Sequence, residues 1–189
     1  SGGTVSAIIK PVADSPQPAG AEFTVEIKVE DVSNLFGIAF LVHYTHNADF
    51  MDALSAQKGD FLGSDVIFLE PDINDGAGTV SIGITRKRPA GGVTGSGVVA
   101  KVTFKSADPT PDGTPVDVTI TDIVAKDPNG VVIPLTPQPL TVTIKPHTVT
   151  ITNGPTAVPE TLPSSGGQVN LSVTAEDSLG HAIAYQWTV

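Results

Sequence analysis

Four side chains with hard oxygen donors lie close together in the middle of the sequence. They fall within six residues, just before Gly76: Glu70, Asp72, Asn74 and Asp75. Carboxylate and amide oxygens are the ligands that Ca²⁺ prefers in proteins. Their spacing does not follow the EF-hand loop, and an acidic hairpin turn has the same composition. The segment is therefore a candidate calcium site, with a plain turn as the alternative.

One basic cluster stands out in an acidic chain. The sequence has 20 Asp and Glu against 10 Lys and Arg, for a formal net charge of −10. Three of the ten bases, including both arginines, follow one another as Arg86, Lys87 and Arg88. They form either a solvated turn or the rim of a surface for an acidic partner, because Arg orients partners through forked hydrogen bonds. The acidic balance argues against nucleic acid or an anionic membrane as partner.

The residue types that enzymes use for catalysis are absent or badly spaced. The sequence has no Cys, which removes disulfides, thiolate metal sites and cysteine nucleophiles. Its four histidines are His43, His46, His147 and His181. None has the spacing of a zinc protease, and the glycine-rich stretch 91–97 lacks the Gly-Lys-Ser/Thr of a phosphate loop. These observations favour a binding protein over an enzyme.

Strand periodicity dominates the chain up to residue 145. Five segments alternate apolar and polar side chains: residues 23–30, 80–85, 98–105, 116–120 and 140–144. Such alternation is typical of antiparallel strands with one face on a core. Asp75-Gly76 and Asn129-Gly130 suit the turns between strands. Only residues 50–58 are compatible with a helix, of about two turns. The pattern predicts an all-β sandwich or jelly roll.

Residues 37–44 depart from this simple alternation. Ile38, Phe40 and two further residues define one face, but the opposite face, with Ala39 and Leu41, is also largely apolar. We expect a central strand whose outer face is either covered by loops or exposed as an apolar patch that receives a partner. No apolar run approaches the roughly 20 residues that would span a bilayer, so membrane insertion is not expected.

The sequence changes character near residue 146. Residues 167–177 and the pair Tyr185 and Trp187 resemble the opening of a bacterial immunoglobulin-like or PKD-like module, in which a Trp anchors the core. Such modules run to about 100 residues. We therefore predict a first domain at residues 4–146 and an incomplete immunoglobulin-like β-sandwich at residues 147–189. We expect either that the natural polypeptide continues or that another chain supplies the missing strands. Strands from a second copy would mean self-association.

Several segments of the first domain, taken in order, resemble the cohesin family. They are residues 23–32, 34–44, 59–62, 97–104 and 127–134. The resemblance implies a nine-stranded jelly roll in a secreted or cell-surface prokaryotic protein, with a calcium-loaded dockerin as partner. Carbohydrate-binding modules share this fold, so polysaccharide is an alternative partner, although only 5% of the residues are aromatic. A structural link in a surface layer or filament is a third hypothesis.

The resemblance also implies where a partner binds. The outward residues of strand 37–44, those of the neighbouring strand and the basic cluster would form the partner-binding face. They are Ala39, Leu41, His43, Ser81, Gly83, Thr85, Arg86 and Arg88. Polar residues that cohesins often place on this face are replaced here by small and apolar ones, which implies a more hydrophobic interface with a basic edge.

Overall fold

The computed structural model describes residues 6–45, 50–107, 113–146, 148–178, 180 and 182–188. The chain divides into two compact units, Ser1–Pro146 and His147–Val189. Within the described residues, no helix is long and apolar enough to cross a membrane.

The described part of the first unit consists of strands and turns. Its strands are β1 (Ile8–Val12), β2 (Gln17–Pro18), β3 (Glu22–Leu35), β4 (Gly37–Tyr44), β5 (Met51–Lys58), β6 (Val66–Phe68), β7 (Asp72–Asn74), β8 (Thr79–Arg86), β9 (Val93–Ser106), β10 (Thr114–Lys126), β11 (Thr136–Pro137) and β12 (Leu140–Lys145). The predicted all-β class is confirmed. The resemblance implies nine strands, and the structure describes twelve in this unit. The two counts agree when the two-residue β2 and β11 are left out and β6 and β7 are counted as one interrupted edge strand.

These strands form two sheets. The first sheet has the order β11-β1-β3-β9-β5, and the second has the order β2-β12-β10-β4-β8-β6, with β7 also paired to β8. Most neighbouring strands are antiparallel, apart from the short pairs of β1 with β11 and β12 with β2. The predicted central position of β4 is confirmed, because it lies between β10 and β8.

The alternating side chains of both sheets meet in one core. The apolar residues of the alternating pattern in β3 are fully buried; they include Val25, Ile27 and Val29. Aromatic rings also meet there, with the Phe104 centroid 5.9 Å from that of Phe23 and 5.1 Å from that of Tyr44. Burial of these side chains is the main driving force for the sandwich, because the hydrophobic effect scales with the apolar area removed from water.

Residues 50–58, which the sequence allowed as a short helix, do not form one, because Met51–Lys58 is the edge strand β5. Met51 and Ala53 are buried while Asp52 is exposed, a period of two rather than of 3.6. The segment pairs with β9 from Met51 to Lys58, with an irregularity between Ala53 and Ser55. A helix of about two turns is marginal in water, so the hydrogen bonds and the burial that this segment gains beside β9 decide its structure.

The second unit contains an antiparallel ribbon of β13 (Val149–Val158) and β14 (Asn170–Asp177). Several of its large apolar residues are exposed, among them Ile151 at 60% and Trp187 at 44%. Trp187 therefore does not act as a buried anchor within the described residues. The immunoglobulin-like nature of residues 147–189 stays a prediction.

Candidate partner-binding face

The outward residues predicted on β4 and β8 lie side by side on the outer face of the second sheet. Four directly opposed pairs form its rows: Gly37 with Thr85, Ala39 with Gly83, Leu41 with Ser81, and His43 with Thr79. Ala39 and Ser81 are exposed, and Leu41 and His43 are half-buried. The strand register thus brings together the residues that the sequence placed on one face.

A third strand contributes residues that were not predicted. In β10, Val124 lies opposite Ala39 and Lys126 lies opposite Gly37. Val124 is 48% exposed. The register of β10 against β4 shifts between Thr121 and Val124, beside Asp122, whose φ is +51°. A bulge of this kind adds a residue and changes which side chain faces outward. The break in alternation at residues 121–124 was the only signal in the sequence.

Leu69 is a further residue of the outer face that the sequence did not predict. Its N–H donates to the Gly83 carbonyl over 2.9 Å, and its side chain lies across Gly83. A Cβ atom at position 83 would lie only 2.9 Å from Leu69 Cδ1. Gly83 is therefore buried although it faces outward, and Leu69 itself is 59% exposed. Leu69, which directly follows β6, thus covers the outer face of the sheet at Gly83.

Together these residues form an apolar groove of about 480 Å³ on the outer face of the second sheet. Ala39 and Gly83 lie at its floor, and Leu69 and Val124 are among its lining residues. Its other lining residues are Phe36, Gly37, Ile38, Ile84, Thr85, Arg88 and Lys126, with the turn at residues 127–130. Of the eight predicted face residues, four line this groove: Ala39, Gly83, Thr85 and Arg88. We call it the apolar groove.

The remaining part of the outer face is polar, and we call it the polar end. His43 Nε2 lies 2.8 Å from Thr121 Oγ1. Asp72 lies opposite Ser81 in the ladder between β7 and β8. Of the four predicted face residues that do not line the apolar groove, His43 and Ser81 belong to the polar end, whereas Arg86 follows Thr85 at the opposite end of β8. The fourth is Leu41. Leu41 lies between the two parts of the face, in the row with Ser81 and Thr121.

The basic cluster holds neighbouring backbone segments in place. Arg86 donates from a guanidinium nitrogen to the Gly91 carbonyl. Arg88 Nη2 donates to the Pro128 carbonyl over 2.8 Å, which ties the turn at residues 127–130 to the end of β8. Lys87 Nζ lies 3.1 Å from an Asp65 carboxylate oxygen. The cluster is thus a set of tethers, and Arg88 alone of the three also lines the apolar groove.

The candidate calcium segment lies in and before the turn between β7 and β8. Asp75 Oδ1 accepts hydrogen bonds from the Tyr44 hydroxyl and, over 3.2 Å, from the Ala53 N–H. Asn74 Oδ1 accepts from the Ala77 N–H over 3.1 Å. In the part of the chain that the structure describes, no group of three or more His, Asp or Glu could hold a metal. Calcium binding by Glu70 and its neighbours stays a prediction, and the turn alternative accounts for these contacts.

Tyr44 joins this turn to the core. Its side chain is only 5% exposed, and its ring packs against Phe104. Burial, and then the hydrogen bond to the Asp75 carboxylate, raise the pKa of the Tyr44 hydroxyl above its usual range. The tyrosine stays neutral and fixes the end of β4 beside the turn. Of the other histidines, His46, His147 and His181 lie outside the described residues.

A two-sheet jelly roll with an apolar groove on the outer face of its central strands has the form of a binding module. Residues 10–144 match the family model of the cohesin domain. The chain therefore belongs to the cohesin family. No curated protein sequence matches the chain.

Solved structures of low sequence identity share the fold. A non-cellulosomal cohesin from Archaeoglobus fulgidus has a TM-score of 0.61 and 17% identity over 74% of this chain and 91% of its own. A cohesin module of a Clostridium perfringens family 33 glycoside hydrolase has a TM-score of 0.61 and 12% identity, covering 76% and 99%. A type I cohesin–dockerin complex from Clostridium thermocellum contains a chain with a TM-score of 0.61 and 14% identity, covering 77% and 99%.

Proposed function

We propose that this protein is a non-catalytic module that binds a dockerin through the outer face of β10, β4 and β8. The observation that carries the proposal is the apolar groove on that face, in a chain of the cohesin family. The similar Clostridium thermocellum structure is a cohesin–dockerin complex, which supports the choice of partner. Exposed apolar surface bordered by polar residues is a feature of protein interaction sites.

The face combines features that favour a protein partner. The apolar groove offers contact area that water solvates poorly, and such area drives association. His43 and Thr121 at the polar end provide hydrogen-bonding groups beside it, 2.8 Å from one another. A partner that covers both parts would bury Leu41, which lies between them. We therefore place Leu41 at the centre of the interface.

A paired substitution tests this proposal. Binding of the chain to a panel of purified dockerin modules, loaded with Ca²⁺ or treated with EDTA, is measured by surface plasmon resonance. Leu41→Asp should weaken binding by at least about a hundredfold, because it buries an unpaired charge. Thr103→Asp is the matched control, because Thr103 is also half-buried but lies in β9 of the first sheet. It should leave binding unchanged.

Two results would contradict the proposal. If no dockerin in the panel bound the wild-type chain, dockerin recognition would be wrong. If a dockerin bound and Leu41→Asp had no more effect than Thr103→Asp, the binding face would be wrong. Circular dichroism of both variants confirms that each one folds before binding is compared.

The cohesin family membership also underlies a proposal about cellular setting. We propose that the chain belongs to a secreted or cell-surface prokaryotic multidomain protein. Two further interactions are candidates: binding of polysaccharide, and self-association through the ribbon of β13 and β14. The exposed Ile151 and Trp187 support the second of these, since open strands with apolar side chains favour association. Retention on cellulose and light scattering test the two candidates directly.

A further inference from the structure

The charges around the apolar groove are unlike those of the whole chain. The chain has a formal net charge of −10, yet Arg88 and Lys126 both line the apolar groove. The acidic residue among the lining residues is Asp127, whose Oδ1 accepts from the N–H groups of Asn129 and Val131, each over 2.8 Å. Asp127 is thus bound into its own turn. The apolar groove therefore has a locally basic edge on an acidic protein.

Hydrogen bonds to backbone groups fix Arg88 and the backbone of Lys126 at this edge. Arg88 is held at the edge by its hydrogen bond to the Pro128 carbonyl over 2.8 Å. Lys126 is exposed at the end of β10, where its carbonyl accepts from the Phe36 N–H over 2.9 Å. Among the residues that the structure describes, Lys126 forms no ion pair, whereas Lys87 of the basic cluster pairs with Asp65. A carboxylate arriving beside Lys126 would therefore face a cation without displacing another acidic group.

The floor of the apolar groove limits what can enter it. Ala39 and Gly83 are opposed in the ladder and present no side chain beyond a Cβ atom. Val124 and Leu69 rise on either side, over β10 and β8. Two inter-strand spacings separate β10 from β8, about 10 Å in all. Because the Val124 and Leu69 side chains stand over these two strands, the open space between them is narrower than this and suits a single aliphatic side chain.

We propose that the apolar groove binds an aliphatic side chain of a partner protein that carries a carboxylate next to it, with the carboxylate facing Lys126. This inference rests on the proposed use of the outer face for protein recognition and names the chemistry that it selects. The aliphatic group supplies contact area, while the carboxylate fixes orientation by charge complementarity. Partners with a basic residue at that position are rejected.

A selection experiment tests the chemistry without a known partner. The full chain is used to select from a phage-displayed helical scaffold with one randomised surface, and enriched clones are sequenced. We expect Leu, Ile, Val or Met next to Asp or Glu. Binding of purified enriched clones is then measured with three variants of the chain: Lys126→Glu, Val124→Asp and, as control, Lys58→Glu, since Lys58 is exposed on β5 of the first sheet.

Lys126→Glu should weaken binding of these clones by about fivefold, and clones remade with Lys for the acidic residue should regain affinity for this variant. Val124→Asp should reduce binding more strongly, and Lys58→Glu should not change it. Enrichment without acidic residues, or equal binding by Lys126→Glu and Lys58→Glu, would overturn the inference.

The outcomes also separate this inference from dockerin recognition. If a dockerin binds the chain and Lys126→Glu does not change its affinity, the proposed function stands and the inference is wrong. If acidic clones bind at the apolar groove but no dockerin binds, the inference stands and the dockerin proposal is wrong.

Discussion

The two sheets enclose one core, but the side chains on their outer faces differ. Those of the first sheet form ion pairs, whereas those of the second include exposed apolar residues. On the first sheet, Glu26 lies 3.2 Å from Lys28 Nζ and 3.3 Å from Lys101 Nζ. Lys10 and Glu30 form a further pair at 2.5 Å. On the second sheet, the corresponding central positions are Ala39 and Gly83, beside exposed apolar side chains.

The difference shows that the same fold satisfies one outer face with its own ion pairs and leaves apolar side chains exposed on the other. Paired charges on a strand surface keep water close and discourage contact with other chains. The apolar groove of the second sheet, by contrast, releases water when another surface covers it, and this release favours association. The fold alone is therefore a weak guide to function, and the residues on each outer face decide which one binds.

The largest effect on stability is expected where the two sheets are joined at Tyr44. Its hydroxyl and the Ala53 N–H, from opposite sheets, both donate to Asp75. Tyr44→Phe leaves this carboxylate with one donor fewer and should lower the free energy of unfolding by about 1–3 kcal/mol. Urea titration at pH 7 measures the change. If Tyr44→Phe weakened partner binding but left the free energy of unfolding unchanged, Tyr44 would not stabilise the contact between the two sheets.

The pH dependence gives this prediction a sign. Because the pKa of Tyr44 is raised in the folded protein, the unfolded chain loses its proton first as the pH increases. The stability contribution is complete below the unfolded tyrosine pKa of about 10 and falls as the pH rises above it. The difference between wild type and Tyr44→Phe should therefore shrink above pH 10. A difference that grew with pH would contradict the raised pKa.

Much of this arrangement was predictable from the sequence because it depends on alternation. The apolar positions of β3 and the outward residues Ala39 and Leu41 follow directly from a period of two. Alternation failed at β5, where a short segment was compatible with two periods. It also failed at Val124, because the bulge beside Asp122 depends on the neighbouring strand β4.

Contacts between distant segments were the second limit. The position of Leu69 over Gly83 requires that β6 pair with β8 and that the chain then turn across the sheet. The tether from Arg88 to Pro128 joins residues forty positions apart. Neither contact has a local signal, so the sequence predicted the face but not the groove within it.

A smaller effect is expected from filling the floor of the apolar groove. Gly83→Ala would place a Cβ atom 2.9 Å from Leu69 Cδ1, so the flexible, exposed Leu69 side chain must move. Partner affinity should fall by about fivefold while stability changes by less than about 1 kcal/mol. Isothermal titration calorimetry with a partner that binds the wild-type chain measures the change in affinity. Urea titration measures the change in stability. Gly76→Ala is the matched control, because its Cβ atom would meet only Asn74 Oδ1 at 3.4 Å.

The smallest effect is expected on the charged face of the first sheet. The hydrogen bond from Lys28 lowers the pKa of Glu26, and Lys101 adds to this. The stability contribution is therefore present above the ordinary carboxyl pKa and is lost as the pH falls through the folded value. Glu26→Gln should cost only a few tenths of a kcal/mol at neutral pH, because the pairs are solvated. The cost should shrink in urea titrations as the pH falls below the ordinary carboxyl pKa, and partner binding should not change. A loss of binding with Glu26→Gln would show that the charged face also contacts the partner, and the contrast between the two faces would no longer hold.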